Sequence, residues 1–137
     1  MRKLLLPLLI WLTMAALPAS SETNKAGEFD YYVLALSWSP NWCVLHGLWP
    51  QYHRGYPAFC RTAKKPPSRG MTADMADIMG TSGLAWHQWK KHGVCTGLNA
   101  ADYYALSRRA YAKVNRPPVF RKLTRTVKLP ASVVEEA

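Results

Sequence analysis

Two short apolar runs begin the globular part of the chain. Residues 29–38 (FDYYVLALSW) are rich in aromatic and β-forming residues, and their larger side chains alternate with smaller ones. This period of two predicts a buried strand. A second apolar run, residues 44–48, ends at Trp49 and Pro50. Because only about five residues separate the two runs, we expect a tight connection between them.

The pattern then changes from loop to helix. Residues 51–70 contain three prolines, two glycines and five cations, which is typical of a loop. Residues 72–79 predict a helix that Thr72 caps. Residues 84–92 predict a second helix, which Gly93 ends as a C-cap.

A longer helix is predicted to follow, with Asn99 and Asp102 as its capping pair. Its apolar face is predicted to consist of side chains spaced at helical intervals, namely Tyr103, Leu106, Ala110 and Val114. Pro117 and Pro118 end this helix. A last helix is predicted to begin at Ser132 as its cap. Five or six helical residues cannot stand alone, so we expect a chain cut short there.

The N-terminus has the layout of a secretory signal peptide. Arg2 and Lys3 precede an almost wholly apolar stretch, residues 4–17, and small residues follow up to Ser21. The stretch is too short for a typical spanning helix, although an uncleaved membrane anchor is the alternative. We therefore expect residues 1–21 to be a signal peptide and residues 22–137 to form one domain.

The expected mature chain is strongly basic. All eight acidic residues and sixteen of the eighteen Lys and Arg follow Ser21, which gives a net charge of 16 − 8 = +8. Such a charge on an exported protein favours a polyanionic partner: nucleic acid, anionic polysaccharide or membrane headgroups. Solubility or binding to a cell envelope explains the charge as well.

Three cysteines in an exported chain predict a disulfide and one leftover thiol. Cys60 and Cys95 each follow one of two histidine-bearing clusters, so we predict that they pair. Cys43 is then unpaired, or its partner lies outside this chain.

The two clusters read VLHGLWP (residues 44–50) and HQWKKHGVC (residues 87–95). Residues four apart on a helix share a face, so the second cluster can present one patch composed of His87, Gln88, Lys91 and His92. Trp89 then packs on the other side. Lys91 lowers the pKa of nearby imidazoles. A neutral histidine can act as a base, and a lysine can stabilise a negatively charged transition state.

His46 is predicted to lie in a strand-to-turn segment beside Gly47, which allows close approach of a backbone or ligand. One histidine as base, another as acid and a cation are sufficient to cleave RNA without a metal. Trp49 and Tyr52 could stack a base.

Other readings of these residues stay open at this point. A lone histidine is usually structural. Zinc is a rival use of a set composed of His46, His53, Cys60, His87, His92 and Cys95, although no CxxC or HExxH spacing is present. Trp38, Trp42 and Trp86 are expected in the core rather than on a ligand-binding surface.

Both clusters, in this order, resemble the two active-site segments of the ribonuclease T2 family, and YYVLALSW before the first resembles that family too. The resemblance extends over about residues 29–137. It implies an α+β fold with an antiparallel sheet flanked by helices. It implies a secreted or periplasmic endoribonuclease that needs no metal or other cofactor. The family continues past Ser132 with further strands, so the resemblance also implies an incomplete domain.

The resemblance assigns roles by position. It implies that His46 is the general acid and His92 the general base. It implies that His87 contacts the phosphate and ribose and that Lys91 stabilises the pentacoordinate phosphorus. Trp49 matches a base-stacking position, and Cys60 and Cys95 match a family disulfide.

Gln88 stands where most members have glutamate, although glutamine occurs in some. A missing carboxylate is expected to lower the pKa of the histidines. From this we expect a pH optimum less acidic than is usual for the family.

The leading hypothesis is thus a monomeric, metal-independent endoribonuclease that cleaves single-stranded RNA to 2′,3′-cyclic phosphate ends. The alternative is a non-catalytic remnant that binds RNA or an anionic envelope through its charge. A cationic antimicrobial protein is a third, weaker reading.

Overall fold

The structure, a computed structural model, describes residues 24–39, 42–117, 125 and 127–136. The described elements follow one another as strands β1 (Tyr31–Ser39) and β2 (Trp42–Gln51), helices α1 (Arg69–Asp74), α2 (Ala76–Met79) and α3 (Ser82–Lys91), a 3₁₀ turn (Gly93–Cys95), and helices α4 (Ala100–Ala112) and α5 (Ala131–Glu135). Helices pack on an antiparallel sheet, which confirms the predicted α+β class.

β1 and β2 pair as an antiparallel hairpin whose register is interrupted once. Ala35 lies opposite Gly47, but Leu36 lies opposite Leu45, so His46 is the extra residue of a β-bulge. A bulge bends its strand and changes the direction of a side chain, and bulges are common beside active sites. His46 therefore lies within a strand of ten residues, and the prediction of a strand-to-turn position was wrong.

One face of the hairpin carries the core. Leu45 and Leu48 of β2 are buried in one cluster with residues of α2, α3 and α4. The larger side chains of β1 from the predicted alternation, Tyr32, Leu34 and Leu36, pack against that cluster. Tyr31 and Val33 lie on the exposed face. The period of two thus separates the two faces as predicted.

The helix predicted over residues 72–79 begins earlier and is broken. Ser68 caps α1 through its hydroxyl, which accepts a hydrogen bond from the Met71 amide, whereas Thr72 is buried within the helix. Met75 ends α1 and begins α2. The Thr72 cap was therefore wrong, because a serine at the end of the proline-rich loop satisfies the first-turn amides instead.

α3 begins with Thr81 as its cap and ends at Lys91, before Gly93. Gly93 opens the 3₁₀ turn rather than acting as the predicted C-cap. A Cβ at this position would lie 2.5 Å from Cε3 of Trp89. Gly93 is thus needed because the buried tryptophan approaches its backbone closely.

α4 begins at the predicted capping pair: the Asn99 side chain accepts from the Asp102 amide and donates to its carboxylate. Its buried face differs from the predicted one, because Tyr104, Ser107 and Tyr111 are buried with Tyr103, whereas Leu106, Ala110 and Val114 are only partly covered. Each tyrosine hydroxyl donates to a backbone carbonyl: Tyr103 to that of Leu48, Tyr104 to that of Ala85 and Tyr111 to that of Cys43. Buried hydroxyls paired in this way stabilise the core instead of opposing it.

Two further expectations concern the ends of the chain. α5 begins after Pro130 without a side-chain cap, so Ser132 is not its cap. The expected signal peptide, residues 1–21, and Pro118 lie outside the described residues. No helix in the described part of the chain is long and apolar enough to cross a membrane.

The loop after β2 is fastened to the end of α3. Cys60 and Cys95 form the predicted disulfide, with 5.0 Å between their Cα atoms. The Phe59 amide also donates to the Lys91 carbonyl at 2.8 Å. Phe59 adopts a φ of 53°, which is unusual for a residue other than glycine. Cys43 is a free thiol.

We expect loss of the disulfide to lower the free energy of unfolding substantially. A loop closed over 35 residues corresponds to roughly 3–4 kcal/mol of loop-closure entropy. Urea unfolding of Cys60→Ser with Cys95→Ser should show this loss, and Cys43→Ser should change the midpoint much less. Equal midpoints for the two variants would contradict the structural role of the bond.

Candidate active site

Trp49 of β2, Gln88 of α3 and His92, the C-cap of α3, form the centre of the site. The indole Nε1 of Trp49 donates a hydrogen bond to Oε1 of Gln88 at 2.7 Å. Its ring stacks on the imidazole of His92, with 4.9 Å between centroids and 22° between planes. The two clusters singled out in the sequence, 41 residues apart at Gly47 and Gln88, therefore meet at one place.

Gly47 makes this meeting possible. A Cβ at residue 47 would lie 2.6 Å from Oε1 of Gln88 and 2.7 Å from Nε1 of Trp49. The close approach expected at Gly47 is therefore made by a pair of the protein's own side chains. Any larger residue would push apart the hydrogen bond that connects β2 to α3.

His92 is held in its neutral form. It is buried, and burial together with the positive charges of Lys91 and His87 lowers its pKa to about 4. Its Nδ1 has no hydrogen-bond partner among the described residues. A protonated ring would bury a second N–H group without an acceptor, so the contacts and the pKa favour the same state.

The direction of this pKa agrees with what the sequence suggested, but the expected pH optimum does not follow from it. A base with a lower pKa stays neutral to lower pH, so the acid side of a pH profile moves down. A lower pKa of His92 alone thus argues against a less acidic optimum, and the optimum itself stays a prediction for a pH–rate profile to test. Burial, which the sequence argument left out, is the largest cause of the low pKa.

His46 is positioned by the bulge and by a serine. Its Nε2 lies 2.9 Å from Oγ of Ser37 on β1. It is joined to the rest of the site through its neighbour Gly47. Ser37 was not identified from the sequence, although a hydroxyl within an otherwise apolar strand, close to the histidine of the paired strand, is the signal that could have identified it.

Tyr56 is a second residue that sequence reasoning missed. Its ring lies 6.0 Å from that of His92, and Nζ of Lys91 lies 5.6 Å from its centroid. Tyr56 is 44% exposed. The signal was the predicted disulfide: Cys60 bound to Cys95 brings the loop before Cys60 next to α3.

Not all the candidate residues are equally placed. His87 is exposed on α3, close enough to His92 to lower its pKa. Tyr52 is partly buried in the turn after β2, where its amide donates to the Gly55 carbonyl. His53 lies at the surface beside Asp30. The rival zinc set is divided, because Cys60 and Cys95 form the disulfide, and no group of three or more potential ligands occurs in the described part of the chain.

Trp86 was expected in the core, and this was wrong. It is 43% exposed on α3, although only about 60° around the helix separates it from the buried Trp89. Hydrophobicity alone could not distinguish these two tryptophans, which differ in position by less than one helical turn. The side chains of Trp38 and Trp42 lie outside the described residues.

Comparison with known proteins shows that the chain is similar to ribonucleases. A model described as the Ribonuclease T2 family matches residues 29–124. A protein named Ribonuclease from Aeromonas hydrophila is 42% identical over 100 residues, which cover 61% of this chain and 46% of that protein. Ribonuclease DdI of Dictyostelium discoideum is 29% identical over 138 residues, covering 82% and 62% of the two chains. A protein named Probable ribonuclease from Haemophilus influenzae is 28% identical, and the matched region covers 46% of that protein. The chain spans about half the length of the curated relatives it matches.

We expect Gly47→Ala to destabilise the chain and to disturb Trp49. The added methyl group must displace the Trp49–Gln88 pair, and overpacking of this kind costs roughly 1–3 kcal/mol. Gly70→Ala is the matched control, because its Cβ meets only Oγ of Ser68 at 3.7 Å and alanine favours the helix. Thermal unfolding followed by tryptophan fluorescence should show a lower midpoint for Gly47→Ala alone. A midpoint as high as that of Gly70→Ala would mean that the site accommodates a side chain at residue 47.

Proposed function

The chain belongs to the ribonuclease T2 family, and on this premise we propose that it is a metal-independent endoribonuclease that cleaves single-stranded RNA. The observation that carries the proposal is His92: a buried imidazole with a pKa of about 4, next to a cation and stacked on an aromatic ring. A base that is neutral at physiological pH, beside a cation that can face a phosphate, suits proton abstraction from a ribose hydroxyl.

In the proposed reaction His92 takes the proton from the ribose 2′-hydroxyl. The 2′ oxygen attacks phosphorus in line and forms a new P–O bond, while the bond to the 5′ oxygen breaks. His46 gives a proton to that departing oxygen. The products are a 2′,3′-cyclic phosphate and a free 5′-hydroxyl. Lys91 and His87 stabilise the charge on the phosphoryl oxygens.

Three aromatic residues are proposed to bind the base. Trp49 and Tyr52 keep the role suggested by the sequence, and Tyr56 is added because its exposed ring lies beside His92 and Lys91. Stacking on aromatic rings is tolerant of base identity. Gln88 is proposed to act mainly by holding Trp49, because its Oε1 accepts the indole hydrogen bond.

We also propose that residues 1–21 direct export and that residues 22–137 form the ribonuclease domain, active as a monomer. A disulfide in the structure supports an oxidising compartment, either outside the cell or in the periplasm. The second candidate function is binding of RNA without cleavage. The net charge of 16 − 8 = +8 after Ser21 favours it, because charge alone is enough to hold a polyanion.

Cleavage of RNA by the purified chain in EDTA tests the proposal directly. We expect 2′,3′-cyclic phosphate ends, and we expect His46→Ala and His92→Ala each to lower the rate about 10²–10⁴-fold, the usual contribution of one acid or base. His53→Ala is the control histidine, since it lies at the surface beside Asp30, and it should keep the full rate. Binding of RNA with no cleavage above that of a chain carrying both His46→Ala and His92→Ala would favour the second candidate.

Gln88→Glu should move the acid side of the pH profile upward. A carboxylate one helical turn from His92 favours the imidazolium and raises its pKa from about 4. The base is then protonated, and inactive, up to a higher pH. We expect the lower inflection of kcat/KM to rise, with Trp49 still held because a carboxylate also accepts its hydrogen bond. An unchanged inflection would show that His92 does not set the acid side.

A further inference from the structure

A groove open to solvent lies on α3 beside the face that carries His87 and Lys91, which we call the catalytic face. It has a volume of about 450 Å³ and lies between the start of α1 and the first turns of α3. Trp86 forms one wall, and Arg69 and Thr72 line the opposite side. Trp86 is 43% exposed. A partly exposed indole in a groove offers a flat apolar surface that nothing in the described structure covers.

The charge around this groove favours an anion. Arg69 lines it, and none of the described residues that line it is acidic. Lys90, one helical turn after Trp86, is exposed, as are Lys64 and Lys65 in the loop before α1. An aromatic face with cations beside it is the arrangement by which proteins hold single-stranded nucleic acid, with the base on the ring and the phosphates near the cations.

The groove is also close to the proposed site of cleavage. Trp86 and His87 are consecutive residues of α3, so their side chains point about 100° apart around the helix. A helix is only about 10 Å across. When a strand of RNA runs past His87 away from the catalytic face, the nucleotides next to the cleaved linkage therefore reach the side of α3 that carries Trp86.

We propose that the groove between α1 and α3 binds a nucleotide of the same RNA outside the cleaved linkage, with its base stacked on Trp86 and a phosphate near Arg69. This inference rests on the proposed function, because the occupant is the substrate of that site. It makes the chain sensitive to the length of its RNA: a dinucleotide fills the catalytic face only, whereas a longer strand occupies both.

The test compares kcat/KM for a dinucleotide and for a single-stranded RNA of about ten nucleotides. Stacking of one base is worth about 1–3 kcal/mol, so Trp86→Ala should lower the ratio of the longer to the shorter substrate about 5–150-fold. Trp86→Phe should restore most of it. Arg69→Ala should lower the ratio as well, whereas Arg109→Ala, which removes an exposed cation on α4, should not.

The outcomes separate this inference from the proposed function. If Trp86→Ala lowers kcat/KM equally for both substrates, Trp86 acts on the catalytic residues and the inference fails. If no variant changes the ratio, the groove binds no RNA.

If the chain cleaves nothing, a fluorescent single-stranded DNA of ten nucleotides, which lacks the 2′-hydroxyl, is used to measure binding. Weaker binding by Trp86→Ala than by the unaltered chain then supports the groove while the ribonuclease proposal falls. Unchanged DNA binding, with weaker binding of anionic phospholipid vesicles, overturns the inference in favour of a membrane surface.

Discussion

The site depends on how closely β2 approaches α3 at Gly47. The absence of a side chain there lets the Trp49 indole reach Gln88, and this one hydrogen bond joins the hairpin to the helix. The bulged His46 directly precedes Gly47, and Trp49, whose ring stacks on His92, follows two residues after Gly47. Both histidines proposed for proton transfer are therefore positioned relative to the same contact.

The packing that builds the site also sets its chemistry. His92 is buried under Trp49 and near Tyr56, and this loss of water, more than either neighbouring charge, keeps the imidazole neutral. The linkage to stability follows from the sign of the shift. With a folded pKa of about 4 and an unfolded value near 6.5, the contribution of His92 to stability is most favourable above about pH 6.5 and declines as the pH falls toward 4, because this histidine takes up its proton first in the unfolded chain.

Local sequence patterns predicted the contacts that depend on spacing. Asn99 and Asp102 form a cap, and His92 lies one turn from Gln88, because both depend only on helical geometry. The disulfide between Cys60 and Cys95 was predicted correctly, because each cysteine follows one of the two clusters. The features that failed depend on neighbours that are distant in sequence. The bulge at His46 exists only once β1 is paired, and α4 buries three tyrosines because carbonyls of other elements accept their hydroxyls. Trp86 and Trp89 are alike as residues, and only the surrounding helices make one exposed and the other buried.

The bond between Cys60 and Cys95 has a consequence for when the site is assembled. It fastens the loop that carries Tyr56 to the end of the helix that carries Lys91 and His92. On the proposed export route, the thiols stay reduced while the chain is still in the cytosol, and non-covalent contacts such as the Phe59–Lys91 hydrogen bond then hold this loop without the covalent bond. On that route, a cell that makes the protein would hold the site without this covalent constraint while its own messenger and ribosomal RNA are present. The oxidising environment would add the constraint only after the chain has left those transcripts behind.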